Sequence, residues 1–331
     1  MEDIQQIIDL LAFSKDIIIF SHRNPDGDAI GSSLALKLYL EKIGHKVDVI
    51  FPSEFPSVLT FLAGTDDIII SDFEKDRSIE LIKKCDLIFF LDFSSLDRID
   101  TLGEHVIATN VPKVLIDHHL DPEPFADFII SDTTASSTSE IVYRFFRRLD
   151  NCVYLDKKIA ESLLTGIISD TGSFKYSTNS ETFLVASKLM EEGIDISELQ
   201  NKIYNSLSEK QLRLIGYSIN QRMEIIPEYE TAIITLSKQD YKDYEILRGD
   251  TEGLVNYLLM MKNVKLAALI TEQPTIVKIS LRSKGDISVQ EIARKHFKGG
   301  GHKNAAGGQA FAKLEDVVAR FKSVLPNHLK N

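Results

Sequence analysis

Sulfur is scarce in this chain. It has two cysteines, Cys85 and Cys152, far apart and outside any Cys-x-x-Cys spacing. That excludes a disulfide framework, a zinc ribbon and a thioredoxin-type redox pair. An excess of positive charge is also lacking: Lys and Arg number 38 against 49 Asp and Glu, for a net charge of −11. Coating long DNA or RNA depends on Lys and Arg displacing counterions from phosphates, so a long nucleic-acid duplex is not an expected partner. A local pocket for a short anionic substrate stays open. Long apolar runs are absent too. Stretches such as Leu87–Leu91 fall far short of the ~20 residues a membrane helix needs. The start, Met1-Glu2-Asp3-Ile4, lacks the cationic opening of a signal peptide. The expectation is a cytoplasmic protein with no membrane partner.

What is present is ordinary globular material. Hydrophobic residues make up 44% and charged residues 26% of 331, enough for a sizeable core and, at roughly 100–200 residues per domain, about two domains. There is no internal repeat and no low-complexity stretch. The first half alternates short apolar runs with helical patterns. Residues 16–22, 46–51, 85–92 and 113–117 read as buried parallel strands. Ile30, Leu34 and Leu38 mark a helix between the first two. Ser137 with Glu140 forms a capping box for another. A helix from about Asp156 stops near Asp170, with Gly172 as its left-handed end. A further helix spans about 181–192 and ends at Gly193. This pattern predicts an α/β fold with a doubly wound parallel sheet over 1–193. Residues 194–225 read as a helical linker with no strand. Residues 226–331 read as a smaller α/β domain, with strands at 231–236, 264–271 and 275–282 and helices at about 251–262 and 288–297.

The sharpest chemical signal follows the first strand: His22-Arg-Asn-Pro-Asp26-Gly-Asp28-Ala-Ile-Gly31. Three donors lie within seven residues, and Pro25 and Gly27 turn the backbone so that they face one space. Gly31 is expected to let the following helix approach the strand. Other elements close in the same manner. Asp92 ends one apolar strand, Asp117-His118-His119 ends another, and Asp170 ends an apolar helix. Any one of these acids is ordinary as a cap, but capping does not explain the whole set. A carboxylate at the edge of a buried sheet is costly unless paired or metal-bound. Imidazole and carboxylate without thiolate suit Mn²⁺ and, less well, Mg²⁺; zinc sites are usually richer in His or contain Cys. Five carboxylates and up to three histidines exceed one ion's needs and suit a pair about 3.5–4 Å apart sharing a carboxylate, as in displacement at phosphorus. In the second domain, Lys298-Gly-Gly-Gly-His302 suggests backbone amides offered to an anion. Arg282, on the polar side of its strand, is suited to a bidentate grip on phosphate.

These residues together resemble the DHH phosphoesterase family with its DHH-associated C-terminal domain. The branch they look most like is the bifunctional oligoribonuclease/pAp phosphatases, which Arg282-Ser283-Lys-Gly285 and Ala135–Glu140 also resemble. The resemblance implies a catalytic site in the cleft between the domains. It implies two Mn²⁺ ions, with Mg²⁺ or Co²⁺ as substitutes. One ion would take His22, Asp26 and Asp92, and the other Asp28, Asp92, His118 and Asp170, so that Asp92 bridges. Asp117 would orient an imidazole. His119 would contact the phosphoryl group or protonate the leaving oxygen. Arg282, Ser283, Gly299, Gly300, Gly301 and His302 would bind the terminal phosphate or nucleotide, with Arg98, Ser136 and Ser137 as further substrate contacts.

The expected activity is metal-dependent hydrolysis of short oligoribonucleotides of about two to five nucleotides, of linear dinucleotides such as pApA, and of pAp. Alternatives with the same chemistry are an inorganic pyrophosphatase or exopolyphosphatase and a cyclic-dinucleotide phosphodiesterase. A homodimer is expected on base rates alone.

Overall fold

A computed structural model describes residues 2–205, 207–247 and 249–329. The chain divides into two compact units, Met1–Ser206 and Leu207–Asn331. The helical stretch read as a linker falls on both sides of that division.

In the first unit the elements run α1 (Glu2–Leu10), β1 (Asp16–Phe20), α2 (Gly27–Lys42), β2 (Lys46–Phe51), β3 (Ile69–Ile70), α3 (Lys75–Lys84) and β4 (Leu87–Leu91). They continue with α4 (Leu102–Ile107), β5 (Lys113–Asp117), β6 (Phe128–Ser131), α5 (Thr138–Asp150), α6 (Lys157–Thr171), α7 (Ser180–Met190) and α8 (Ile196–Tyr204). All six strands are parallel, in the order β3-β2-β1-β4-β5-β6. This is the expected doubly wound sheet. Its strands are continuously apolar because both faces are covered. Ile17 and Ile19 of β1 join Phe89 of β4 and Ile116 of β5 in a core roofed by α2, α5 and α6. Ile18 and Phe20 join Ile88 and Leu115 in a second core under α3 and α4. Gly31 serves a different neighbour from the one expected. A Cβ there would lie 2.4 Å from the Ser162 carbonyl oxygen, so its bareness brings α2 against α6 rather than against a strand.

The strand order reverses between β1 and β4. The chain leaves the carboxyl ends of these two neighbours in opposite directions, which opens a crevice where ligands of such sheets lie.

The second unit comprises α9 (Glu209–Gln221), β7 (Met223–Ile226), β8 (Thr231–Leu236), α10 (Lys238–Asp243), α11 (Leu254–Leu259), β9 (Leu266–Glu272) and β10 (Val277–Ser283). Then come α12 (Val289–His296), β11 (Gly300–His302), β12 (Ala305–Ala310) and α13 (Leu314–His328). Its mixed sheet has the order β11-β12-β10-β9-β8-β7. Val277, Ile279 and Leu281 of β10 face α12 and α13, as their alternation predicts. Ala232, Ile234 and Leu269 face α9 and α11 on the other side.

Two expectations are corrected here. β7 lies in the stretch expected to hold no strand; at four residues it is too short to register in a hydrophobic pattern. α11 starts at Leu254 rather than Thr251, because Gly253 before it is left-handed (φ 73°). The glycine run leads into an edge strand, Gly300–His302, paired with β12. Gly299 is needed for close packing, because a Cβ there would lie 1.9 Å from the Gly307 oxygen.

Candidate metal centre

Each donor sits at or beside the end of a strand or helix. His22 follows β1 by two residues, Asp92 follows β4 directly, and Asp117 is the last residue of β5, with His118 and His119 beyond it. Asp26 is the N-cap of α2. Its Oδ1 accepts the N–H groups of Asp28 and Ala29 at 3.0 and 3.1 Å. Asp28 lies in the first turn of that helix, and Asp170 in the last turn of α6. Asp92 has a left-handed backbone (φ 68°), an uncommon state for a side-chain-bearing residue. The turn takes the chain off β4 at the point where its carboxylate meets the other donors.

The geometry centres on Asp92. His22 Nε2 lies 3.5 Å from its Oδ2, and His118 Nε2 lies 3.5 Å from its Oδ1. His118 Nε2 is also 3.6 Å from Asp170 Oδ2 and 4.0 Å from Asp28 Oδ2. Ligand atoms of His22, Asp26 and Asp92 fall within 4.8 Å of one another, as do those of Asp28, Asp92 and His118, and of Asp92, Asp117 and His119. The structure thus brings together all six residues read as ligands, with Asp92 common to both sets.

Asp28, Asp92 and Asp117 are at most 2% exposed. Burial, together with the charges of Asp92 and Asp170, pushes the Asp28 carboxyl well above the usual carboxylate range. Burial likewise pushes Asp170 up to about 6, against the pull of His118. Asp92 goes the other way: burial opposes its charge, but the facing imidazoles of His118 and His22 outweigh burial and hold it well below its ordinary value. For His118, burial is overcome by Asp92, Asp170 and Asp28, which raise it well above the usual imidazole value.

The donor chemistry of this cluster fits divalent metal. So many buried acids are costly without compensating cations. Donors about 2.1 Å from one ion, at tetrahedral or trigonal angles, lie about 3.5 Å apart. The His118–Asp92, His118–Asp170 and His22–Asp92 separations of 3.5, 3.6 and 3.5 Å match that spacing.

Asp117 and His119 form a dyad beside the cluster. The His119 Nδ1–H donates to Asp117 Oδ1 at 2.7 Å. Burial disfavours the His119 cation, yet the Asp117 bond and charge leave its pKa above the usual value.

The remaining candidates divide. Ser136 and Ser137 are fully buried. The Ser137 hydroxyl accepts the Glu140 N–H at 3.1 Å, capping α5. Glu140 does not complete the expected box with Ser137; its Oε2 accepts instead from the Ser136 N–H (3.0 Å), the Ser136 hydroxyl (2.6 Å) and the Thr182 hydroxyl (3.0 Å). Both serines therefore act in the scaffold of α5 and present no surface to a substrate. Arg98 is exposed on a short turn, with its carbonyl accepting the Arg23 N–H at 2.8 Å. In the second unit, Arg282 and His302 both stand opposite Ala305, one on each side of β12. Gly300 and Gly301 lie in the same edge strand as His302, with Gly299 just before it. The Ser283 hydroxyl donates to the Ile287 carbonyl at 2.7 Å and accepts from Asn304 at 2.8 Å, which ties down the turn after β10.

Sequence reasoning passed over Thr138. Its hydroxyl donates to Asp92 Oδ1 at 3.0 Å and its N–H to Asp28 Oδ2 at 2.6 Å; the Ser139 N–H donates to Asp28 Oδ1 at 2.9 Å. The available signal was the cap itself. Once Ser137 is the N-cap, the next amides have no partner within the helix and need acceptors from elsewhere.

Residues 16–167 match the DHH family, N-terminal domain, and residues 232–327 the DHHA1 domain. The chain is 32% identical to the "Probable bifunctional oligoribonuclease and PAP phosphatase NrnA" of Streptococcus mutans, over 93% of this chain and 94% of that protein. It is 25% identical to the "Bifunctional oligoribonuclease and PAP phosphatase NrnA" of Bacillus subtilis, over 98% and 99%. Among solved structures, an exopolyphosphatase-related protein from Bacteroides fragilis superposes with a TM-score of 0.93 at 38% identity, over 98% of this chain and 96% of that one. Among the described residues, no helix is long and apolar enough to cross a membrane.

Proposed function

The chain belongs to the DHH family of metal-dependent phosphoester hydrolases, and from that premise we propose that it cleaves short oligoribonucleotides of about two to five nucleotides and linear dinucleotides such as pApA, and removes the 3′-phosphate of pAp. The observation that carries this reading is the Asp92 carboxylate, which has one oxygen toward His22 and the other toward His118. His22, Asp26 and Asp92 would hold one cation, and Asp28, Asp92, His118 and Asp170 the other. Two bound Mn²⁺ ions supply Lewis-acid stabilisation of charge on the phosphoryl oxygens and lower the pKa of water.

The protein's own groups do the rest. Asp117 fixes the His119 tautomer by taking its Nδ1 proton in a hydrogen bond, so Nε2 is the nitrogen that exchanges a proton with the substrate. With its pKa held above the usual imidazole value, His119 stays cationic further up the pH scale and protonates the leaving oxygen. In the second unit, Arg282 and the strand Gly300–His302 take the terminal phosphate or nucleotide. The net charge of −11 agrees with a short substrate, since it leaves little Lys and Arg for a long phosphate track.

A product time course tests this directly. 5′-Phosphorylated dimers through heptamers and pAp are incubated with Mn²⁺, Mg²⁺ or chelator and resolved by chromatography. Turnover of the shorter oligomers and pAp that chelator abolishes is the expected result; inertness toward all of them under Mn²⁺ refutes the assignment. The likeness to the exopolyphosphatase-related protein favours one other reading, hydrolysis of inorganic phosphoanhydrides. Pyrophosphate and polyphosphate assayed beside pAp and pApA decide between the two.

A further inference from the structure

Among the described residues, the Asp92 carboxylate is approached by imidazoles and by a single hydroxyl, that of Thr138. Thr138 opens α5 and is fully buried. Its Oγ1 donates to Asp92 Oδ1 at 3.0 Å, and its backbone N–H donates to Asp28 Oδ2 at 2.6 Å. One residue therefore joins two carboxylates that reach the site from different elements, one from α2 and one from the end of β4.

The start of α5 is itself held firmly. Ser137 caps it, and Glu140 gathers Ser136 and Thr182 around it. Gly166 of α6 leaves room for the arrangement: a Cβ there would lie 2.0 Å from the Ser139 hydroxyl oxygen and 2.7 Å from Asp28 Oδ1. A β-branched side chain is stiff at χ1, so the hydroxyl is aimed by the helix rather than by its own search.

The plane of the Asp92 carboxylate decides whether its two oxygens face both donor sets or only one. His22 approaches Oδ2 and His118 approaches Oδ1, each at 3.5 Å. The Thr138 hydroxyl is the neutral donor on Oδ1, and its bond does not depend on the charge state of any imidazole.

We propose that Thr138 is a positioning residue for the metal pair. It fixes the plane of Asp92, in register with Asp28, so that one oxygen serves each ion. This rests on the two-ion reading above.

The test compares Thr138→Val, which keeps the shape and removes the hydroxyl, with Thr138→Ser, which keeps the hydroxyl and removes the methyl. Mn²⁺ is titrated calorimetrically into chelator-stripped full-length protein, and thermal midpoints are recorded without metal. Thr138→Val is expected to bind the weaker ion about 10–100-fold less tightly. Thr138→Ser is expected to bind both ions like wild type. Wild-type affinities in Thr138→Val overturn the proposal, as does a Thr138→Ser variant weakened tenfold, which assigns the residue to packing. If the valine variant fails to fold, Thr138→Ala takes its place, with the same weakening expected and wild-type affinities overturning the proposal. A wild-type stoichiometry of one ion defeats the two-ion reading and this role with it, whereas two ions in wild type with an unaffected valine variant defeats this role alone.

Discussion

Asp117 Oδ1 accepts the Nδ1–H of His119 at 2.7 Å, in a position where neither residue is far from Asp92. The dyad orients the ring and raises its pKa at once. Asp117→Asn keeps the shape and removes the charge. Its expected effect is a fall in kcat of about 10²-fold or more, within the range for a positioned general acid, with KM little changed. The sign of the pH effect follows from the cause of the shift. Removing the carboxylate lowers the His119 pKa, so the alkaline limb of the kcat profile should move to lower pH. A profile that scales down without moving would show that His119 is not the acid.

Asp92 is the one residue common to the three donor groups made up wholly of first-unit residues. Asp92→Ala should therefore abolish turnover of every substrate alike, while circular dichroism shows a folded protein. Arg282→Ala, on the second unit, should instead raise KM with kcat largely kept, the pattern of lost ground-state binding. Metal-stimulated activity near wild type in Asp92→Ala would remove the bridging assignment.

Much of this was legible in the sequence because each feature was local. Continuous apolar runs gave buried parallel strands, and an acid or imidazole after three of them and at the ends of two helices gave the donor set. What was not legible depended on contacts between distant segments. Gly31 faces Ser162 across two helices, and nothing near position 31 says so. Glu140 turns to Ser136 and Thr182 because Thr182 is brought there by α7. Thr138 looked like one more residue in a serine-rich cap until the fold set Asp28 and Asp92 against it.

The glycine run offers a sharp contrast between neighbours. A Cβ at Gly299 would lie 1.9 Å from the Gly307 oxygen, whereas at Gly300 it would meet nothing within 4 Å. Gly299→Ala should lower the stability of the protein by about 1–3 kcal/mol or more, as forced overpacking does. Gly300→Ala should leave the thermal midpoint almost unchanged, so that any loss of substrate affinity in it reports on binding alone. Equal thermal midpoints for the two variants would contradict the packing described for this hairpin.

Removing metal should change how stability depends on pH. In the metal-free fold, burial raises Asp28 and Asp170, the latter from near 3.8 to about 6, and the surrounding carboxylates raise His118. A group whose folded pKa is raised binds more protons folded than unfolded, so its contribution falls as pH climbs from the unfolded to the folded value. For Asp170 that window runs from about 3.8 to about 6, and for His118 it begins near 6.5 and extends upward. Asp92 has the opposite sign, but its contribution is lost only as pH drops below 3.8. Below pH 6.5 the lowered His45 and His328 oppose this trend, so chelator-treated protein should lose thermal stability from pH 6.5 to pH 8, where only the raised imidazoles act. Cations take the place of those protons, so saturating Mn²⁺ should flatten or reverse the slope and stabilise most at the alkaline end. Thermal scans at matched ionic strength, with and without Mn²⁺, measure both slopes. A metal-free midpoint that rises across this interval would mean that the acids and imidazoles do not share one buried site.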